Sequence, residues 1–147
     1  MEGLTLQPAS PFDFADVVGD DGWGGGVHRR RDFGRYARQV SEGVALTVRE
    51  AETGRLALVV GIWPEEGYGE VWFGAGPALR DRLLPTLRLA RGALAEVMAE
   101  AAPMELRCFI HPDSVAGARL ASWFGFSAAG TRATRWGEAA VFSRRYP

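Results

Sequence analysis

The stretch "SVAGARLASWFGF", residues 114–126, sets the frame for the whole chain. It has the pattern of an amphipathic helix, with Asp113 or Ser114 available as its cap and Gly125 as its stop. The 21 residues after it, "SAAGTRATRWGEAAVFSRRYP", read as two short strands closing the chain at residue 147. Immediately before it, "MELRCFIHP" alternates apolar and polar residues and reads as a strand ending at Pro112. Strand, helix, glycine-phenylalanine and a closing strand pair form one unit.

Upstream of this unit, Leu83, Leu87, Leu94, Val97 and Ala101 recur at helical spacing, which predicts one long helix. Pro85 fits only in its first turn, because a proline has no amide to donate further in. Earlier still, "VALTVREAETGRLALVVGIWP" reads as a hairpin turning at Glu-Thr-Gly. Its second strand is almost continuously apolar, which predicts a central strand buried on both faces. "EEGYGE" turns the chain into a further strand, "VWFGAG". At the start, "LTLQP" alternates as a strand. Ser10 and Pro11 then open a helix, and "RRRDFGRYARQVSEG" places Phe33, Tyr36 and Val40 at helical spacing. The predicted order is β-α-α-β-β-β-α-β-α-β-β. That is an α/β (α+β) fold whose mixed central sheet has about six to seven strands and about four flanking helices. Residues 1–147 carry no repeat or linker that would divide this single domain.

Composition excludes several chemistries. All 17 basic residues are arginine, so no lysine nucleophile, Schiff base or phosphate-loop lysine exists. The net charge of −1 gives no general attraction to nucleic acid or to an anionic membrane. A single cysteine, Cys108, forbids an intrachain disulfide. The first residues lack a basic, apolar leader, and no window approaches the ~18 apolar residues of a membrane span. A cytoplasmic or intracellularly assembled protein is expected. His28, His111 and Cys108 show no metal-ligand spacing.

The predicted order resembles the GNAT fold of acyl-CoA-dependent N-acetyltransferases, over almost the whole chain. Gly125 and Phe126 match the Gly-Phe that ends the family's last helix, and Ser114 falls at that helix's asparagine position. Ala121 falls where many family enzymes place the tyrosine that protonates the departing thiolate, and alanine has no proton to give. The family's cofactor loop, Gln/Arg-x-x-Gly-x-Gly/Ala, lets glycine amides approach a diphosphate at a helix start. Here the matching stretch is "GPALRDRLLPTL": with Arg80 as the first motif residue, Leu83 and Pro85 stand at the small-residue positions and Asp81 adds a negative charge. The resemblance therefore implies a GNAT fold that has lost its acetyl-CoA site, with no bound cofactor. It is similar to the GNAT-like proteins of short-tailed bacteriophages, particle components or assembly factors. These share a tryptophan-containing strand (here "EVWFGAG"), a tryptophan in the penultimate helix (Trp123) and a late aromatic (Phe142). The partner implied is a protein, either a phage structural protein or a second copy, and the location is cytoplasmic or virion-associated.

The alternative expectation is an active acetyl-CoA-dependent N-acyltransferase with a non-standard loop. Arg80 and Arg82 would then hold the phosphates, and Glu70 or His111 would act as base. Against this, the plainer reading of Glu65, Glu66 and Glu70 is a solvated hairpin tip, and of His111 a partly exposed turn residue. Cys108, in phase with Leu106 and Ile110, reads as a buried core thiol rather than a nucleophile. Five arginines between Arg29 and Arg38 could meet nucleic acid or an acidic partner, but read first as a solvated helix face. "GWGGG" lacks the lysine of a phosphate loop and reads as a connector. Of five tryptophans, most are expected in the core, and any surplus on one face would mark an interface.

Overall fold

A computed structural model describes residues 3–17, 38, 40–101, 104–134 and 137–147. Strand β1 (Leu4–Pro8) leads into a 3-10 turn at Pro11–Asp16. Strands β2 (Val44–Glu50), β3 (Leu56–Glu65) and β4 (Tyr68–Ala75) follow as a meander. A second 3-10 turn, Arg80–Arg82, runs directly into the long helix α1 (Leu83–Ala101). Then come β5 (Met104–Ile110), α2 (Val115–Trp123), β6 (Ser127–Thr134) and β7 (Gly137–Tyr146).

The seven strands form one sheet in the order β1-β2-β3-β4-β5-β7-β6. All neighbours are antiparallel except β4 and β5, which run parallel because α1 carries the chain between them. The β3 strand is central, as its apolar run predicts: Leu56 to Val60 are all buried.

One face of the sheet is covered by α1 and α2. Leu87, Ala90, Leu94 and Met98 of α1 and Leu120, Ala121 and Phe124 from the α2 region share a core with Val71, Leu106, Cys108 and Ile110. Phe124 is fully buried and packs on Phe73 of β4 with ring centroids 5.3 Å apart. Its burial alone contributes roughly 1.5–3 kcal/mol. The long-helix periodicity holds in its middle, but Ala101 is exposed and Leu83 and Val97 are half-buried, so the buried stripe is filled by Ala90, Ala93 and Met98. On the opposite face a smaller cluster of Leu56, Val59 and Trp72 is joined by Val17, Val40 and Trp63.

Two local expectations are refined. Ser10 and Pro11 open a short 3-10 turn instead of an α-helix, because Asp13 bends back: its Oδ2 accepts from the Ser10 amide (2.7 Å) and from the Thr47 hydroxyl (2.8 Å). A short acidic side chain that bonds nearby backbone competes with regular helix. Ser114, and not Asp113, caps α2, its Oγ accepting from the Gly117 amide at 3.0 Å. Gly125 ends the helix with φ +87°, a conformation that side-chain-bearing residues rarely adopt. Phe33, Tyr36, the GWGGG connector and the arginines from Arg29 to Arg35 lie outside the described residues.

Candidate functional site

Strands β4 and β5 are paired in register at only two positions, Gly69–Leu106 and Glu70–Arg107. Beyond that they pair no further, although β4 continues to Ala75 and β5 to Ile110. The sheet is therefore open between two of its central strands. This gap has an apex at Glu70 and a mouth where β4 passes into the turn 76–82. Its helix-side wall is apolar: Val71, Cys108, Ile110 and Phe124 are all buried.

The apex is where Glu70 lies, 4% exposed, inside a strand rather than on the solvated hairpin tip that its neighbours Glu65 and Glu66 occupy. That corrects the plainer reading of the glutamates. The tip ends at Gly67, and by Glu70 the chain is already between β3 and β5. Burial pushes the Cys108 thiol up to about 12, and the charge of Glu70 pushes in the same direction. A thiol held protonated at neutral pH is a core side chain and no nucleophile, as the alternation of β5 predicts.

Away from the helices, the apex carries a stacked group of side chains. The Arg107 guanidinium lies 4.4 Å over the Tyr68 ring, and Arg132 of β6 lies 5.3 Å over Phe109. Arg132 also donates to the Tyr68 hydroxyl at 2.9 Å, while Tyr68 and Phe109 meet edge to face. Arg107 pairs with Glu105. Nothing in the spacing of these residues marks them together in the sequence; only the β4–β5–β7–β6 order gathers them.

His111 stands apart from this apex. It follows β5 at the mouth, half-exposed, and its Nδ1 accepts from the Asp113 amide at 3.2 Å. The ring is folded onto its own turn.

The mouth is built by the turn from Gly76 to Arg82. Ala78 and Leu79 are fully buried, and Gly76 presses so closely on β3 that an added Cβ would lie 2.2 Å from the Leu56 carbonyl oxygen. The amides are largely bonded within the protein. Gly76 donates to Ala57 (3.0 Å), Ala78 to Leu56 (2.9 Å), Leu79 to Gly76 (3.2 Å) and Arg82 to Ala78 and Leu79 (3.2 Å each). Pro77 and Pro85 have no amide at all. Of the two arginines expected to hold phosphate, Arg80 is exposed, and Arg82 turns toward β2, its Nε 3.3 Å from the Glu50 carboxylate. Asp81 sits 3.8 Å from Arg55. A helix start attracts a diphosphate through free amides and positive charge, and at this one the Ala78, Leu79 and Arg82 amides are bonded and Arg82 is paired.

Ala121, at the position the resemblance assigns to a tyrosine, is buried in the core and has no side-chain proton to donate. Among the described residues no three potential ligands gather at a metal-binding distance, and no helix is long and apolar enough to cross a membrane. Of the tryptophans, Trp72 is buried, and Trp63 and Trp123 are half-buried beneath Arg38 and Arg91 respectively; Trp23 and Trp136 lie outside the described residues.

A mixed seven-stranded sheet, opened between its parallel central strands and backed by a long and a short helix, is the GNAT acetyltransferase fold. No family model and no curated protein sequence matches the chain. Solved structures do. The ribosomal-protein-S5-alanine acetyltransferase of Vibrio fischeri aligns over 99% of this chain and 94% of its own, with a TM-score of 0.65 at 11% identity. An aminoglycoside acetyltransferase, AAC(6')-Ib, in complex with coenzyme A, aligns over 97% and 94%, with a TM-score of 0.65 at 17% identity. A GNAT-family acetyltransferase of Bacillus anthracis aligns over 98% and 95%, with a TM-score of 0.66 at 14% identity. These likenesses establish the fold of this chain.

Proposed function

We propose that this protein is a GNAT-fold chain with a degenerate acetyl-CoA site, acting through contacts with other proteins and not through acyl transfer. One observation carries the reading: the turn 76–85 has bonded its amides at Ala78, Leu79 and Arg82 internally, contains two prolines, and has its Arg82 paired with Glu50. The buried Ala121, in place of a proton donor, supports it. The resemblance of "EVWFGAG", Trp123 and Phe142 to phage GNAT-like proteins supports placing it in, or on the way to, a short-tailed phage particle, with a phage structural protein or a second copy as partner. Calorimetric titration with acetyl-CoA tests this. No saturable heat is expected, and a dissociation constant in the low micromolar range overturns it.

A second reading, an active N-acyltransferase, is favoured by a different observation: the β4–β5 gap is open and the Glu70 carboxylate is buried at its apex. The structural likeness to acetyltransferases, one of them in complex with coenzyme A, supports it as well. On that reading Glu70 takes a proton from the acceptor amine. Thiol release from acetyl-CoA across an amine panel should then fall about 10²–10⁴-fold in Glu70→Gln. No release by the native protein with any amine of the panel leaves the first reading standing.

A further inference from the structure

The turn at the mouth of the gap contains arginine, yet its Arg82 does not face the gap. The side chain runs back across the sheet, and its Nε meets Oε2 of Glu50, the last residue of β2, at 3.3 Å. Its guanidinium lies over Gly3, where an added Cβ would come within 3.0 Å of Nη1. In the strand order, β2 is two places from β4 on the side away from β5. At about 4.8 Å per strand, Arg82 is therefore drawn roughly 10 Å from the edge of β4 that borders the gap.

Glu50 is built to hold this position. Its side chain is only 11% exposed. Oε1 accepts from the Thr53 hydroxyl at 2.9 Å and from Arg55 Nη1 at 3.4 Å. Arg55 is fixed in turn: its Nη2 donates to the Pro77 carbonyl at 3.1 Å, inside the same turn. One carboxylate thus binds a guanidinium from the hairpin and one from the turn, much as a bound anion would.

We infer that Glu50 is an internal anion that occupies Arg55 and Arg82 in place of an external diphosphate, keeping Arg82 out of the β4–β5 gap. The inference rests on the proposed degeneracy of the cofactor site and names its cause. An approaching diphosphate must displace a carboxylate that is already bonded to Thr53, Arg55 and Arg82, and it meets Asp81 as a second like charge.

The test is gain of binding. Coenzyme A and inorganic pyrophosphate are titrated into the native 147-residue chain and into Glu50→Gln, Glu50→Ala and the double variant Glu50→Gln/Arg82→Ala, each checked for native circular dichroism. Native protein should give no saturable heat. Glu50→Gln, which keeps the shape and loses the charge, should bind at least one probe at least tenfold more tightly than the native chain. The added Arg82→Ala should remove that gain. If both folded Glu50 variants stay as blank as the native chain, the inference is wrong, although the proposed function stands. If the native chain itself binds coenzyme A, the proposed function falls. The inference falls with it, because Glu50 then keeps no diphosphate out.

Discussion

The two ends of the gap between β4 and β5 differ in what holds them. At the apex, two residue pairs and a buried glutamate join the strands, and the stacked Tyr68, Arg107, Phe109 and Arg132 cover one side. At the mouth, a turn has folded in on itself, burying Ala78 and Leu79 and tying Arg82 and Arg55 to Glu50. The apex depends on the sheet, so anything that keeps the sheet keeps the opening. The mouth depends on a few side chains and amides, which can change without disturbing a single strand. A fold can therefore persist in full while the local chemistry of one turn is replaced, which is why fold and function must be argued separately.

Substitutions around the gap put this contrast at risk, the most damaging first. Phe124→Ala removes the fully buried ring that packs on Phe73 behind the gap, and should cost about 3–5 kcal/mol in urea unfolding. A loss below about 1 kcal/mol would mean that the gap wall is not part of the core. Gly76→Ala sets a methyl group against the Leu56 carbonyl and should cost about 1–3 kcal/mol, showing how tightly the mouth is seated on β3. Stability unchanged by this substitution would mean that the turn is loose enough to admit a ligand.

Next comes the strand that carries Glu50. Arg49, its neighbour, bonds Asp13 at 2.7 Å and Asp16 at 3.0 Å. Burial pushes the Asp13 carboxyl up, but Arg49, the Ser10 amide and the Thr47 hydroxyl together outweigh it and hold it below the usual carboxylate range. A lowered folded-state pKa gives stability that is fully present above the unfolded value, near 3.8, and is lost as the pH falls through the folded value. Asp13→Asn should therefore lose about 1–2 kcal/mol near neutral pH and show a flatter stability profile below about pH 4. A variant with the native acid profile would show that Asp13 is not the group responsible. The smallest effect belongs to the surface of the mouth. Leu84 is 53% exposed, and Leu84→Ser should change stability by less than about 0.5 kcal/mol. A larger loss would show that Leu84 packs against the rest of the chain more closely than its exposure indicates.

Much of the fold is legible in local patterns. The seven strands and the helices α1 and α2 follow from periodicity, from Gly-containing turns at 54 and 67, and from the stop at Gly125. Those signals lie within a few residues of the elements they define. Of the site, Cys108 is legible because alternation along one strand places it inward. Glu70 is harder. Its neighbours Glu65 and Glu66 are exposed, while the third glutamate is buried where β4 lies between β3 and β5. His111 falls at a strand-to-helix turn as its flanking residues suggest, but the bond from the Asp113 amide that folds its ring onto that turn is a matter of local geometry.

Residues close together in the chain suffice to set the order of elements, the departures at Leu83, Pro85 and Ala121, and the lack of lysine chemistry. Only the folded arrangement settles where Arg82 points, what buries Glu70 and which rings Arg107 and Arg132 cover. Those contacts join residues 32 positions apart for Glu50 and Arg82 and 64 for Tyr68 and Arg132. Their geometry is set by strand order and register, which local periodicity does not encode.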